Sequence, residues 1–326
     1  MKFPNLQKSL LCGIALTLSA SFSAQAIELT AGHVNPPGEP CYEAFVLLQK
    51  ELAAGSTGVT LKIFPQGQIG GEKDAIEQVQ MGALTLTCVA GANLSAFAPS
   101  VGVYDIPFLF RDGVTHPWVV TDGPIGQGIT EKVENEAGVD VVGWWSAGVR
   151  HVFSRNTPIK TPADMKDMKI RVIGSPVYID TFNALGAKPT PMPYGEVYTS
   201  LATHTIDAAE NDSSGYRNMK FYEQAPQLSL TGHFFLMKPV IANRAALAKL
   251  SPEQRQEFDA AMAKATAYQR KLFAENFDGD IAWLKEHGVT VTETDRAAFE
   301  AAVKPVQEKY AKQYGADLVE SIRNAR

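Results

Sequence analysis

Apolar and polar residues alternate from Ile27 to Gly32, the period-two signature of a strand with one buried face. The segment PPGEPC then turns the chain, and apolar residues recur at helical spacing over 42–54, at Phe45, Leu48 and Leu52. A second strand is predicted over Val59–Phe64, a glycine-rich loop over 65–71, a helix over 72–81 and a third strand over 84–90. This β-α-β-α-β order predicts a parallel sheet with helices on its faces. Residues 105–110, DIPFLF, form a buried apolar segment, and 117–137 read as mostly helical with a break at Gly123-Pro124.

The pattern restarts at 139–145, a strand that leads into SAGVRHVFS. TPADMKDM (161–168) predicts a short helix with a threonine cap and a proline in its first turn. A strand from Lys169, helices over 178–185 and 196–203 and a strand over 205–209 make a second α/β unit. Residues 228–236 and 239–243 read as strands with a bend between them. Ser251-Pro252-Glu253-Gln254 combines a cap, a first-turn proline and a capping-box glutamine, and the helical pattern it opens runs to about residue 287, before Gly288. A helix of that length kinks or crosses both units. A short strand over 289–291 and two terminal helices follow, and no repeat, low-complexity tract or flexible linker interrupts the chain.

The first 26 residues bear on where the chain works. Lys2 and Lys8, the apolar run 10–18 and Ala24-Gln25-Ala26 have the layout of a cleaved secretory signal peptide, with an apolar run too short to span a bilayer. Residues 1–26 are therefore set apart, and a periplasmic protein is expected. The 30 lysines and arginines stand against 35 aspartates and glutamates, a net charge of −5, and there is no basic run. That balance argues against nucleic acid as a partner and leaves any anion to be caught by individual arginines. Outside the leader two cysteines remain, Cys41 and Cys88, which an oxidising compartment could bridge or which could be separate buried thiols.

Catalytic signatures are missing. G-x-S-x-G, H-E-x-x-H and the P-loop do not occur, and GPIGQG (123–128) lacks both the dinucleotide fingerprint and a preceding strand. Histidines 33, 116, 151, 204, 233 and 287 make no short-range metal spacing. No enzyme activity, metal or cofactor is expected, with a secreted hydrolase as the alternative of another class. One residue stands out: Arg171, in the strand KIRV, puts a guanidinium inside an apolar run. Read alone it is the wet face of a strand.

Six phrases occur in order: FPQGQIGGEKDAIEQVQMGAL (64–84), DIPFLFRD (105–112), GVRHVFSRNTPIKTPADMKDMKIRV (148–172), LGAKPTPMPYGEVYTSL (185–201), IDAAEN (206–211) and KFYE (220–223). Together they resemble the substrate-binding proteins of tripartite ATP-independent periplasmic (TRAP) transporters, over nearly the whole chain after the leader. The resemblance implies an α/β, two-lobed periplasmic binding protein fold, type II-like, with hinge strands and a long helix spanning both lobes. It implies a first lobe of 27–148 plus 237–276 and a second of 149–236 plus 277–326. It also implies a small organic acid as ligand and TRAP membrane subunits as partners, with the binding protein a monomer. A chemoreceptor input with the same pocket is a rival role.

Residue by residue, the resemblance assigns Arg171 to the ligand carboxylate, which a guanidinium can grip with two parallel N–H bonds. Arg150 in GVR matches a second arginine near that carboxylate, and Asn211 in AEN an amide that completes its recognition. Glu72, at a helix start in the first lobe, matches an acid that accepts from ligand hydroxyls, and Tyr194 an aromatic wall. His33 lies where the first strand ends, and Asp212 and Tyr216 stand near Asn211 as further hydroxyl readers; Glu196 is assigned to structure. Asp167, His204 and Ala208 occupy positions where the family has glycine, so the backbone before Asn211 is expected to differ. Glu72 would repel a second carboxylate, and the first lobe is expected to offer no second fixed cation. A uronate or aldonate is therefore favoured over a C4-dicarboxylate.

Overall fold

The computed structural model describes residues 26–326; the expected signal peptide lies outside the described residues, apart from Ala26. Strand β1 (Ile27–Gly32) is followed by α1 (Pro40–Ala54), β2 (Val59–Phe64), α2 (Glu72–Met81), β3 (Leu86–Cys88) and α3 (Gly91–Leu94). Helices α4 (His116–Asp122) and α5 (Pro124–Ala137) lead to β4 (Asp140–Ser154). The second unit runs β5 (Lys169–Val172), α6 (Pro176–Ala184), β6 (Lys188–Pro191), α7 (Val197–Ala202), β7 (Ala208–Asn211) and α8 (Ser213–Asn218). Strand β8 (Gln227–Ala242) returns to the first unit, and α9 (Arg244–Leu247), α10 (Pro252–Glu286), β9 (Thr290–Thr292), α11 (Arg296–Tyr314) and α12 (Ala316–Asn324) close the chain.

One sheet runs through both lobes in the order β2-β1-β3-β8-β4-β7-β5-β6, with β9 on β8. β1 is parallel to β2 and β3, and β5 is parallel to β6 and β7. These two parallel blocks are joined by β4 and β8, which run antiparallel from Asp140↔Ala242 to Ser154↔Gln227. The two strands expected over 228–236 and 239–243 are one: β8 is continuous through Pro239, which lies one residue beyond the β3 ladder at Cys88↔Val240 and so removes a single donor, and its pairing with β4 shifts register between Phe235 and Met237.

The crossover is where the ladder is irregular. Register shifts fall between Val141 and Gly143, Ser146 and Val149, and Arg150 and Val152. Gly148 sits inside this stretch with φ +65°, a conformation that favours glycine, and a Cβ there would stand a tight 3.1 Å from the Phe273 ring. Helix α10 spans both lobes as expected. Its Phe258, Met262 and Ala265 share a core with Phe45 and Leu48 of α1, whereas its Ile281 and Leu284 share one with Phe153 and Tyr216. Ser251 Oγ caps it by accepting from Gln254 N, with the reciprocal bond from Ser251 N to Gln254 Oε1 at 3.0 Å.

The end of the chain packs on two of the hydrophobic clusters. Val306 and Tyr310 of α11 and Val319 and Ile322 of α12 pack with Tyr104, Ile129 and Trp144 of the first lobe, while Phe299 and Val303 pack with Phe182 and Ile170 of the second. Helix α11 thus carries apolar residues that face each cluster in turn. The cysteines are unbridged: both are buried, with Sγ atoms 3.5 Å apart.

Candidate ligand-binding cleft

The sheet's two parallel blocks end at a cavity between the lobes. The first lobe contributes Asn35, Glu39, Glu72, Asn93 and Lys238, and the second Arg150, Arg171, Tyr194, Asn211 and Asp212. Ligands of open α/β sheets bind at such crevices beyond strand ends.

Arg171 reaches it by strand parity. On β5, Ile170 and Val172 point into the second lobe's core, so Arg171 faces the other way. It is only 3 % exposed, yet among the described residues no carboxylate lies within ion-pair distance of it. Nε and Nη2 donate to the carbonyl of Met192, just past β6, at 3.1 and 2.9 Å, and the guanidinium lies 5.8 Å from the Tyr194 ring centre. Burial acts to lower its pKa and outweighs the pull of Glu210. A fixed guanidinium without a paired acid is a site for an external anion.

Arg150 is differently placed. Its Nε and Nη2 donate to the Glu210 carboxylate, Nη2 also to the Glu210 carbonyl at 2.7 Å, and Nη1 to Asn211 Oδ1 at 2.8 Å. Burial disfavours the Arg150 charge but the Glu210 carboxylate more than offsets it, and Arg150 in turn holds Glu210 below its ordinary range against burial. Asn211 passes the chain on, its Nδ2 donating to Tyr194 Oη at 2.8 Å. The order Glu210–Arg150–Asn211–Tyr194 is thus a prebuilt network that fixes side chains around the cavity.

Two helix caps also line it. Glu39 caps α1 by accepting from Cys41 N at 3.1 Å, and Asp212 caps α8 by accepting from Gly215 N at 2.8 Å. Burial pushes Glu39 up to about 7 and Asp212 up to about 6. Asp105, pushed up to about 8 by burial, lies 3.4 Å from Ser175 Oγ across the lobes.

Of the expected site residues, Arg171, Arg150, Asn211, Glu72, Tyr194 and Asp212 are brought together at this cavity, and His33 is not. His33 shares the parity of Leu29 and Ala31, which face the first lobe's core, and its ring stacks on Phe45 at 5.2 Å. Nδ1 accepts from Asn35 N at 3.2 Å, and burial lowers its pKa to about 3. It is a neutral core histidine that shapes the Asn35 turn. Tyr216 is likewise core, its hydroxyl bonded to the Ala225 carbonyl at 2.7 Å. His204 and Asp167 adopt φ of +63° and +60°, so each keeps the left-handed conformation that glycine would supply.

The expectation that the first lobe lacks a second cation is wrong. Lys238, in FFLMKPVIA of β8, is 3 % exposed and lines the cavity, with Nζ donating to Asn35 Oδ1 at 3.0 Å and lying 3.6 Å from Glu72 Oε1. Burial disfavours its charge, the neighbouring acids Glu72 and Glu39 favour it, and its pKa is raised. The signal that singled out Arg171, one cation in an apolar strand, was present for Lys238 as well. Asn35, Glu39 and Asn93 carried no comparable mark.

Comparison with known proteins agrees with this geometry. The bacterial extracellular solute-binding proteins, family 7, match over residues 31–313. The 2,3-diketo-L-gulonate-binding periplasmic protein of Escherichia coli K12 is 35 % identical over 317 residues, covering 96 % of this chain and 95 % of that one. A TRAP periplasmic solute-binding protein of Polaromonas sp. JS666, solved with D-erythronate, superposes with a TM-score of 0.88 at 32 % identity, covering 92 % and 99 % of the two chains. One from Roseobacter denitrificans, solved with β-D-glucuronate, gives 0.87 at 32 % identity over 92 % and 100 %. The chain belongs to the bacterial extracellular solute-binding proteins, family 7, the substrate-binding proteins of TRAP transporters.

Proposed function

We propose that this protein captures a hydroxylated monocarboxylate, a uronate or aldonate, in the periplasm and delivers it to TRAP membrane subunits, acting as a monomer without chemistry of its own. The observation that carries the reading is Arg171: buried at the cavity, oriented by Met192, and lacking a carboxylate partner among the described residues. The ligand carboxylate meets Arg171, with Arg150 and Asn211 beside it. The lobe facing it, 27–148 plus 237–276, closes over the rest of the molecule about the β4 and β8 crossover, and the C-terminal helices brace both lobes.

Charge balance favours a monoanion. Arg150 is matched by Glu210 and Lys238 by Glu72, which leaves Arg171 as the cleft cation without an acid beside it; Glu39 and Asp212, pushed up to about 7 and about 6, bring no further cation. One carboxylate pairs with Arg171; the second carboxylate of a dicarboxylate would be buried without a cation of its own, which is costly. Lys238 does not reverse this, because Glu72 already faces it. The ligands of the two solved relatives, D-erythronate and β-D-glucuronate, and the 2,3-diketo-L-gulonate of the Escherichia coli protein are of this chemical class.

The test is mass spectrometry of the small molecule extracted from natively purified protein. A sugar acid supports the reading; a C4-dicarboxylate in its place overturns the ligand class. Incubation with the identified acid should return it intact, and a hydrolysed or altered product would instead indicate an enzyme.

A further inference from the structure

Three cysteines occur in the sequence: Cys12 falls in the expected leader, and Cys41 and Cys88 stand 47 positions apart. The fold brings these two together. Cys41 belongs to the first turn of α1, just after the Glu39 cap and Pro40, and Cys88 ends β3. Both are 0 % exposed, and their Sγ atoms stand 3.5 Å apart. A buried residue touches roughly 6–12 others, a few per cent of a chain this long, so two cysteines placed without regard to each other would rarely meet. Their surroundings give no other reason for thiols. The core around them is apolar, with Phe45, Leu86 and Val240. Cys41 Sγ lies 3.9 Å from the Ser146 carbonyl and 3.6 Å from Gln269 Nε2, and those two groups already bond each other at 2.6 Å. Small apolar residues in place of both cysteines would leave no polar group unsatisfied.

We propose that Cys41 and Cys88 form a disulfide in the exported protein, a covalent tie between α1 and β3 that braces the first lobe's side of the cleft. The sulfurs have to close from 3.5 Å to about 2.05 Å, a shift of about 1.5 Å between side chains already in contact. The oxidant is the disulfide form of a dithiol oxidoreductase, which an oxidising compartment supplies. One cysteine thiolate attacks that disulfide, forms a mixed disulfide and expels the first oxidoreductase thiolate. The second cysteine thiolate then attacks the protein sulfur of the mixed disulfide and expels the other. Two electrons and the two cysteine protons end on the oxidoreductase, which becomes a dithiol.

Burial dictates when this happens. In the finished fold neither sulfur is open to a second protein, and burial pushes the Cys41 thiol well above its ordinary range, so the exchange takes place before α1 closes onto the sheet. The same burial then shields the bond from reductants. Its place gives it a consequence for the cleft. Cys41 lies two residues after Glu39 and Cys88 two residues before Ala90; both of those residues line the cavity, and Ala90 N donates to Glu72 Oε2 at 2.9 Å. A bridge at this point holds the two backbone segments that carry these groups at a fixed spacing. The inference rests on the periplasmic reading above only for where the bond forms.

The experiment counts thiols by mass spectrometry after maleimide labelling of the denatured chain. Protein extracted from the periplasm, with its leader removed, should take up no label before reduction and two labels after it, and its unlabelled mass should lie about 2 Da below that of the reduced chain. Two labels without reduction would overturn the proposal. A second arm needs no export: the chain from Ile27 onward is unfolded, reduced and refolded in a mixture of reduced and oxidised glutathione. It should regain the bridge, and refolded protein that still carries two free thiols would overturn the proposal as well. A leader still attached in the first arm would instead strike the periplasmic reading, and the refolding arm then decides alone. Thermal melts of the oxidised and reduced forms of the same chain test the brace. The spacing of 47 positions predicts that the reduced form melts about 5 °C lower or more; coincident melts would overturn the bracing role.

Discussion

Replacing Arg171 by lysine keeps a positive charge in the cavity and removes the fork. In the native structure two of the guanidinium's N–H groups, on Nε and Nη2, are committed to the Met192 carbonyl, and this leaves the Nη1–Nη2 edge for a carboxylate. A lysine ammonium is a point donor on a flexible stem and cannot hold Met192 and grip two carboxylate oxygens together. The loss comprises one charge-assisted bond and the rigid placement of the remaining charge. Truncating one partner of a buried charged pair costs 2–5 kcal/mol or more; with the charge retained, the lower part of that range applies, about 2–4 kcal/mol. That is a weakening of roughly 30- to 1000-fold. The fold should persist, because Arg171 has no ion-pair partner among the described residues to be orphaned. Calorimetric titration with D-glucuronate, alongside thermal melts of the unliganded protein, measures both effects. Affinity within threefold of wild type would refute the anchoring role and with it the reasoning from the unpaired guanidinium.

Three further outcomes follow from the same geometry. Glu210→Gln leaves the buried Arg150 without its acid and should cost about 3 kcal/mol of unliganded stability; a bound carboxylate partly replaces the lost charge, so the ligand-induced rise in Tm should exceed that of wild type, and an equal rise would contradict a shared field. Glu39, Asp212 and Asp105 have folded pKa values of about 7, 6 and 8, raised by burial above their unfolded values, so the folded state holds protons that the unfolded chain has released. Stability should therefore fall as pH rises from about 6.5 to about 8, while below about 6.5 the buried neutral His33, His151 and His233 act in the opposite sense; denaturant titrations that show no loss between these two pH values would contradict the assignment. Saturating D-glucuronate should compact the molecule by closure about the β4 and β8 crossover and raise Tm by mass action; small-angle scattering with an unchanged radius of gyration would argue against two moving lobes.

What the sequence disclosed depended on how local the cause was. The Ser251 capping box and the first-turn Pro252 announce α10, and Gly288, with φ +87°, marks its stop. Arg171 was visible as a cation in an apolar strand, and family likeness supplied its role; its partner, the Met192 carbonyl, comes from the neighbouring strand's end and has no sequence mark. Lys238 carried the same mark and was passed over, because FFLMKPVIA reads as interior and a lysine there is readily taken as a strand's wet end. His33 shows the reverse error: the alternation of Leu29 and Ala31 already pointed it into the core, but its place at the end of a strand suggested the cleft. Chain order alone does not reveal that α11 and α12 bury Val306 and Ile322 with Tyr104, Ile129 and Trp144. Carboxylates such as Glu39 acquire their shifted protonation only from burial, a tertiary property.

The central claim is that the cleft holds one carboxylate at Arg171 and hydroxyls elsewhere. Its most direct test is calorimetric comparison of D-glucuronate and D-gluconate with succinate and L-malate on the same ligand-free protein at pH 7. The pairing of Arg150 with Glu210 and of Lys238 with Glu72, which leaves Arg171 without an acid of its own, predicts that at least one sugar acid binds tenfold or more tightly than either dicarboxylate, a difference of about 1.4 kcal/mol. Succinate or malate binding as tightly as, or more tightly than, both sugar acids would contradict it.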